Sequence, residues 1–227
     1  MQLSDLSASL TGFGLRTLGA LNLGAGERNR YGVMSIVLIG PAEPLFWEKF
    51  VTSREYATDN KDPLDKWSKR VIGLISKEFK AKAFYPFEGP PYMPFFNWAI
   101  KAGECFKSPV NLLVHHETGL FVSFRGALGF RTKIEFNKFR TKNSPCLNCE
   151  KPCLTACPVY TLTDLGYDES GCRSFIGRLD TNECFAGCLV RRSCPVGQNL
   201  RHIEQSKFHM KKFAKIEQFS GERGTKT

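Results

Sequence analysis

The sequence predicts an α+β protein of two domains, and three observations indicate it. Segments patterned as strands and as helices alternate through the first half of the chain. Only one cysteine lies there, whereas the other eight fall within residues 146–194. A polar, basic stretch at residues 137–145 separates the two parts and is typical of a linker. We therefore place one domain at residues 1–140 and a second at residues 141–227.

The elements of the first domain follow from local patterns. An uninterrupted apolar run at residues 33–39, ended by Gly40 and Pro41, predicts a strand buried on both faces. Asp62 and Pro63 predict the cap and first turn of a helix that continues to about residue 79. Shorter apolar segments predict strands at residues 81–85, 110–115 and 120–124, and a helix at residues 95–102. In the second domain, a C-terminal helix is predicted at residues 199–218.

The composition is that of a folded protein. The 227 residues are 42% hydrophobic and 24% charged, which excludes a disordered or fibrous chain. The longest apolar run, residues 33–39, is too short to span a bilayer, and no export signal is recognisable. Eight clustered cysteines without an export signal are typical of a reducing compartment, so we expect a cytoplasmic protein with no membrane span.

The formal charge of +10 is uneven, with +3 on residues 1–130 and +7 on residues 131–227. A basic region attracts acidic partners such as redox proteins, nucleic acid or acidic membrane surfaces. The same excess also fits an ordinary solvated surface. Charge therefore leaves the partner open.

The eight clustered cysteines form two runs that each end in Cys-Pro. The first run reads C-x2-C-x3-C-x3-C-P, and the compact part of the second reads C-x3-C-x5-C-P. Bacterial iron–sulfur proteins use a similar run, in which the fourth cysteine binds the other of two clusters. The motif predicts two [4Fe–4S] clusters in a mostly helical, ferredoxin-like domain. With this crossing, the first cluster takes Cys146, Cys149, Cys153 and Cys194, and the second takes Cys157, Cys172, Cys184 and Cys188.

Two alternatives to iron–sulfur clusters remain open at this point. Structural zinc also uses four thiolates, although it prefers C-x2-C pairs separated by a longer segment. Disulfides are not expected in a chain without an export signal. The isolated Cys105 is predicted to be a small buried side chain, because unpaired cysteine is among the most buried residue types.

Three residues of the first domain are candidates for binding a cofactor. Tyr92 belongs to an aromatic, proline-rich segment that can floor a flat pocket or simply fill the core. His115 ends a predicted strand and can bind a metal or hold a water. Arg125 can bind a phosphate or a carboxylate. His209, in the predicted C-terminal helix, is expected to be a surface histidine.

Several segments of the first domain resemble the cobalamin-trafficking decyanases of the CblC type. They are residues 33–39, 41–46, 62–65, 114–121 and 124–126. The stretch from His115 to Gly119 is also similar to the I-H-P-x-x-G segment of epoxyqueuosine reductase, with His116 in place of the proline. Like reductive dehalogenases, that family joins a nitroreductase-like cobalamin domain to a ferredoxin domain with eight cysteines.

The resemblance implies a shortened, nitroreductase-like first domain and a corrinoid that receives electrons from the clusters. His115 and Arg125 match the histidine and arginine of the family segment, and no catalytic acid is carried over. Two other hypotheses are kept beside this one. The chain is a non-enzymatic electron carrier that docks on a redox partner without an organic cofactor, or it is an enzyme acting on tRNA, which the charge permits and no motif requires.

Overall fold

The fold was analysed in a computed structural model, which describes residues 3–58, 61–136, 143–177, 183–200 and 203–214. Its strands are β1 Leu15–Asn22, β2 Ser35–Pro41, β3 Lys82–Phe84, β4 Cys105–Lys107, β5 Leu113–His115 and β6 Gly126–Phe130. An antiparallel sheet has the strand order β1-β2-β6-β3, and β4 and β5 form a separate antiparallel hairpin.

Helices accompany the sheet and make up the regular structure of the described C-terminal region. They are α1 Leu3–Gly12, α2 Ala25–Tyr31, α3 Leu45–Val51, α4 Arg54–Ala57, α5 Pro63–Glu78, α6 Phe95–Ala102, α7 Glu169–Ile176, α8 Leu189–Arg192 and α9 Ile203–Ala214. Short 3₁₀ helices lie at Pro152–Leu154, Glu183–Ala186 and Gln198–Leu200. The prediction of an α+β protein is therefore confirmed. Among the described helices, none has the length and apolar character needed to cross a bilayer.

The sheet is buried on both faces, which explains the apolar run of β2. Val37 and Ile39 pack into one hydrophobic cluster with α1, α3 and α5. Ile36 and Leu38 point to the opposite face and pack with Trp98 of α6. Because side chains alternate along a strand, a strand covered on both sides has no polar face to show in its sequence.

Several predicted elements differ from the observed ones. The prediction of a strand at residues 120–124 is wrong, because the strand in this region is β6. β6 contains two glycines, so strand propensity does not predict it. The glycines are needed because an added Cβ at Gly126 would lie 2.7 Å from Ile72, and one at Gly129 would lie 2.6 Å from Phe84. Asp62 is the N-cap of α5 and Pro63 lies in its first turn, as predicted, but the Asp62 side chain makes no capping hydrogen bond.

The predicted strand at residues 110–115 shortens to β5, because Asn111 takes a left-handed backbone conformation in the turn before it. The predicted strand at residues 81–85 is also shorter, as β3, whereas α6 has the predicted bounds. The sequence patterns did not lead us to expect α1 and β1.

The two predicted domains share contacts. Residues 137–142 of the predicted linker lie outside the described residues, but α9 returns to the first half of the chain. Its Phe208 ring lies 5.6 Å from Trp47 and 5.5 Å from Phe50, measured between ring centroids. Gln205 Nε2 donates a hydrogen bond to Glu43 Oε1 at 2.8 Å. A C-terminal helix therefore forms one wall of the space between the sheet and the cysteine-rich region.

Replacing Glu55 with glutamine is expected to destabilise the first half of the chain. Arg70 donates two hydrogen bonds to the buried Glu55 carboxylate, at 2.5 and 2.9 Å, and these bonds are the main cause that lowers the pKa of Glu55 to about 2. Because the folded pKa is below the unfolded value, this contribution is present above about pH 4.5 and is lost as the pH falls toward 2.

We expect Glu55→Gln to lower the free energy of unfolding at pH 7 by about 2–3 kcal/mol and to flatten its pH dependence between pH 4.5 and 2. Urea denaturation at a series of pH values measures both effects. Glu88→Gln is the matched control, since its ion pair with Lys69 is exposed and contributes less than about 1 kcal/mol. Equal losses in the two variants would contradict the prediction.

Candidate metal centre and the adjoining cavity

The fold brings the first and last of the clustered cysteines together. Burial raises the pKa of the Cys146 thiol, and the nearby Cys149 and Cys194 raise it further. The pKa of Cys153 is raised by burial and then by Cys146, Cys149 and Cys194. Cys194 therefore lies beside three cysteines that precede it by about forty residues or more. We call these four residues the first quartet.

The remaining four clustered cysteines form a second group. Burial, together with Cys188, Cys172 and Cys157, raises the pKa of Cys184 to about 11. The pKa of Cys172 is raised by burial and by Cys188 and Cys157. We call Cys157, Cys172, Cys184 and Cys188 the second quartet. All nine cysteines carry thiols rather than disulfides.

Backbone N–H groups point at sulfur atoms in both quartets. The Lys151 N–H donates to Cys149 Sγ at 3.3 Å, and the Thr161 N–H donates to Cys157 Sγ at the same distance. Although burial raises the pKa of Cys157, hydrogen bonds from the Thr161 side chain and nearby backbone lower it overall. Such hydrogen bonds stabilise negative charge on sulfur and tune the potential of a bound cluster.

In the described part of the chain, no three cysteine sulfurs lie all within 4.8 Å of one another. A tetrahedral zinc ion with Zn–S bonds of about 2.3 Å holds its sulfurs about 3.8 Å apart. In the described part of the chain, one group of three or more His, Cys, Asp or Glu residues has ligand atoms all within 4.8 Å of one another. It contains no cysteine.

The group without cysteine consists of Glu104, His115 and His116. Nδ1 of His115 accepts hydrogen bonds from the Glu117 and Thr118 N–H groups at 3.1 and 3.4 Å. In the neutral ring this places the proton on Nε2, which lies 3.9 Å from Glu104 Oε2. A histidine that binds metal normally donates its second N–H instead of accepting there. This hydrogen bonding is structural and does not suit His115 to a metal.

The loop that His115 holds in place packs against the first quartet. His115 and Gly119 exchange backbone hydrogen bonds at 3.0 and 2.9 Å, which closes a tight turn. Gly119 has a φ of +58°, and a Cβ added there would lie 2.4 Å from the Val196 carbonyl oxygen and 2.9 Å from Cys194 Sγ. The turn therefore supports the segment that presents Cys194.

A cavity of about 470 Å³ lies between the sheet and the cysteine-rich region. All four cysteines of the second quartet line it, and no cysteine of the first quartet does. The first half of the chain contributes Glu43 and Arg125 to the wall, and the C-terminal region contributes Arg191 and His209. One face of the second quartet is thus open to this cavity, whose mainly apolar wall also carries charged side chains.

The two arginines dominate the electrostatics of this cavity. His209 lines the cavity with an exposed side chain, and the nearby cations Arg125 and Arg191 lower its pKa. Arg191 Nη1 donates to the Leu120 carbonyl oxygen at 2.5 Å; burial lowers the pKa of Arg191, and Cys188 and Tyr167 offset this in part. Arg125 Nη1 lies 3.5 Å from Asp65 Oδ1.

The three predicted cofactor residues are not brought together. Arg125 lines the cavity, whereas His115 and Tyr92 are not among the residues of its wall. Tyr92 is 63% exposed, and His115 is buried beside Glu104. Their predicted roles with a cofactor are not supported by a shared pocket.

Other residues of the site were missed in the sequence. His209 is exposed, as predicted, and also lines the cavity, and Arg191 belongs to a short Arg-Arg pair without a motif. Burial raises the pKa of Tyr167, and a hydrogen bond with Cys172 raises it further. These residues lie far from Arg125 in the sequence, so no local pattern predicts that they share a site with it. Arg191 and Tyr167 do lie within a few residues of a clustered cysteine.

The basic excess of the C-terminal region is weak in its described residues. From residue 143 onward these residues carry seven Lys and Arg against six Asp and Glu. The described surface therefore gives no support to an acidic docking partner.

Comparisons with family models, curated proteins and solved structures found no match to this chain.

Proposed function

We propose that this chain is an iron–sulfur redox protein that passes single electrons through two [4Fe–4S] clusters. The observation that carries the proposal is the grouping of eight thiols into two sets of four, with Cys194 beside the first run and Cys157 beside the second. Two neighbouring cubane clusters need this exchange of one cysteine between runs. When bound, the clusters supply reversible one-electron transfer.

The surroundings of the quartets support a direction for the electrons. Leu147, between two cysteines of the first quartet, is 68% exposed, so this quartet lies near the surface and within reach of a redox partner. The second quartet faces the cavity instead. We propose that electrons arrive at the first quartet and leave from the second, toward a molecule in the cavity.

The size of the cavity does not favour a corrinoid as the acceptor. Sites for drug-sized ligands measure about 300–1,000 Å³, and a corrinoid with its side chains is larger than such ligands. The cavity measures about 470 Å³, and a cluster on the second quartet would occupy part of it. No electron-transfer step through a corrinoid is therefore included in the proposal, and corrinoid binding stays a prediction.

A non-enzymatic electron carrier is the second candidate function. The exposed Leu147 beside the first quartet fits a carrier as well as an enzyme. The two functions differ at the cavity: a carrier needs no ligand there, whereas an enzyme binds its substrate next to the second quartet. A ligand bound in the cavity therefore decides between them.

Anaerobic reconstitution with iron and sulfide tests the iron–sulfur proposal. We expect about eight iron and eight sulfide per chain, and an EPR spectrum of the dithionite-reduced protein that shows two interacting spins. Cys105→Ala is the control and keeps both clusters, because Cys105 lies away from both quartets and burial raises its pKa to about 12. Two zinc ions per chain with no bound sulfide would overturn the proposal.

A further inference from the structure

We infer that Thr161 is a positioning residue of the second quartet, and that its hydroxyl raises the reduction potential of a cluster bound there. The hydroxyl acts through the sulfur of Cys157. The inference rests on the proposed function, because it concerns a cluster held by Cys157, Cys172, Cys184 and Cys188. It adds to that function one side chain that favours the reduced form of this cluster.

Thr161 presents its hydroxyl and its backbone N–H to the same sulfur. Its Oγ1 lies 3.4 Å from Cys157 Sγ, and its N–H donates to that sulfur at 3.3 Å. With a free thiol, either the hydroxyl or the S–H can donate. A cysteine that binds iron is a thiolate and carries no proton. In the loaded protein, the Thr161 hydroxyl is therefore the donor of this pair.

The fold fixes the orientation of the Thr161 side chain. The Asp168 N–H donates to the Thr161 carbonyl oxygen at 2.7 Å, and the next residue, Leu162, forms a β-bridge with Tyr167. The methyl group of Thr161 packs against α7, because a Cβ added at Gly171 would lie 3.0 Å from Thr161 Cγ2. A β-branched side chain has few χ1 rotamers, so contact at the methyl group holds the hydroxyl at the sulfur.

Thr161 is a buried polar residue at the cavity wall. It is 8% exposed and lines the cavity beside the second quartet. A second cysteine of the quartet lies within its reach: burial raises the pKa of the Cys172 thiol, and hydrogen bonds with Tyr167 and Thr161 offset this in part. Away from bulk water, a hydrogen bond to a charged sulfur is electrostatically stronger than in water.

The charge change on reduction gives the direction of the effect. An electron added to a cluster increases the negative charge on the cluster and its cysteine sulfurs. A hydrogen-bond donor at a sulfur therefore stabilises the reduced state more than the oxidised state, which raises the reduction potential. Loss of the Thr161 hydroxyl is expected to lower it.

An EPR-monitored redox titration of the reconstituted protein tests the inference with Thr161→Val, in which a methyl group replaces the hydroxyl. At a fixed potential we expect the ratio of reduced to oxidised second cluster to fall about 10-fold, which equals about 59 mV for one electron. The midpoint potential of the first cluster should stay the same. Thr155→Val is the matched control, because the exposed Thr155 hydroxyl contacts the Pro152 carbonyl oxygen, 3.5 Å away, and should leave both midpoint potentials unchanged.

A second pair of variants keeps the test decisive if Thr161→Val does not bind the second cluster. Thr161→Ser and Thr161→Ala both lack the methyl group and differ in the hydroxyl. Thr161→Ser should keep a midpoint potential close to that of the wild type, and Thr161→Ala should show the lowered one. Equal midpoint potentials in these two variants, or an unchanged midpoint potential in Thr161→Val with both clusters bound, would overturn the inference.

Cys184→Ser identifies which midpoint potential belongs to the second cluster, because that midpoint should be missing from this variant. A shift in Thr161→Val that affects the other midpoint instead would contradict the role of Thr161. Protein with both clusters and no shift refutes that role and leaves the proposed function intact. Wild-type protein that takes up no iron or sulfide refutes the proposed function, and the inference then fails with it.

Discussion

Replacing Cys194 with serine is expected to remove the first cluster and to spare the second, although Cys194 ends the second run of cysteines. The reason is the crossing: Cys194 raises the pKa of Cys146 and Cys153, whereas the three other cysteines near Cys184 are Cys157, Cys172 and Cys188. Iron and sulfide should fall to about half of the wild-type content.

Cys184→Ser is the matched variant and should remove the second cluster instead. The two variants then have equal iron contents but different EPR spectra after reduction, and the spin–spin interaction of the wild type disappears from both. Cys105→Ser keeps the full spectrum. The prediction fails if Cys194→Ser and Cys184→Ser keep the same cluster, because a crossed arrangement assigns these residues to different quartets.

Replacing Gly119 with alanine is expected to displace the segment that carries Cys194. The left-handed backbone at Gly119 costs an alanine about 1–2 kcal/mol. The added Cβ would also lie 2.4 Å from the Val196 carbonyl oxygen and 2.9 Å from Cys194 Sγ, and a backbone atom cannot move aside cheaply. We expect the variant to lose most of the first cluster and to retain the second, since Gly119 does not line the cavity of the second quartet.

Iron content, EPR of the reduced protein and the thermal unfolding temperature measure this effect. Gly26→Ala is the control, because Gly26 lies in α2 and an added Cβ has no atom within 4 Å. Alanine there should be neutral or slightly stabilising, as in other helix interiors. If Gly119→Ala takes up iron as the wild type does, the turn from His115 to Gly119 does not support the first quartet.

Sequence patterns identified the elements in which apolar residues recur with the period of a helix or a strand, or in which glycine or proline marks the end. The buried strand β2 and the helices α5 and α6 are such elements, and their observed bounds differ little from the predicted ones. β6 was placed too early, because its small residues are selected by the side chains of Ile72, Phe84 and Val33 that pack against them. Those neighbours come from distant parts of the chain, and strand propensity does not report them.

The cysteines were assigned to quartets from spacing alone, since a tight loop and a following Cys-Pro constrain which thiols can meet. Tertiary structure decided what surrounds them. Arg125 directly precedes β6, Arg191 lies in α8 and His209 lies in α9; all three line one cavity, and α9 packs back onto Trp47 and Phe50. Sequence spacing determines chemistry between residues a few positions apart. The burial and charge of a cavity arise from packing between segments that are distant in the sequence, so only the tertiary structure shows them.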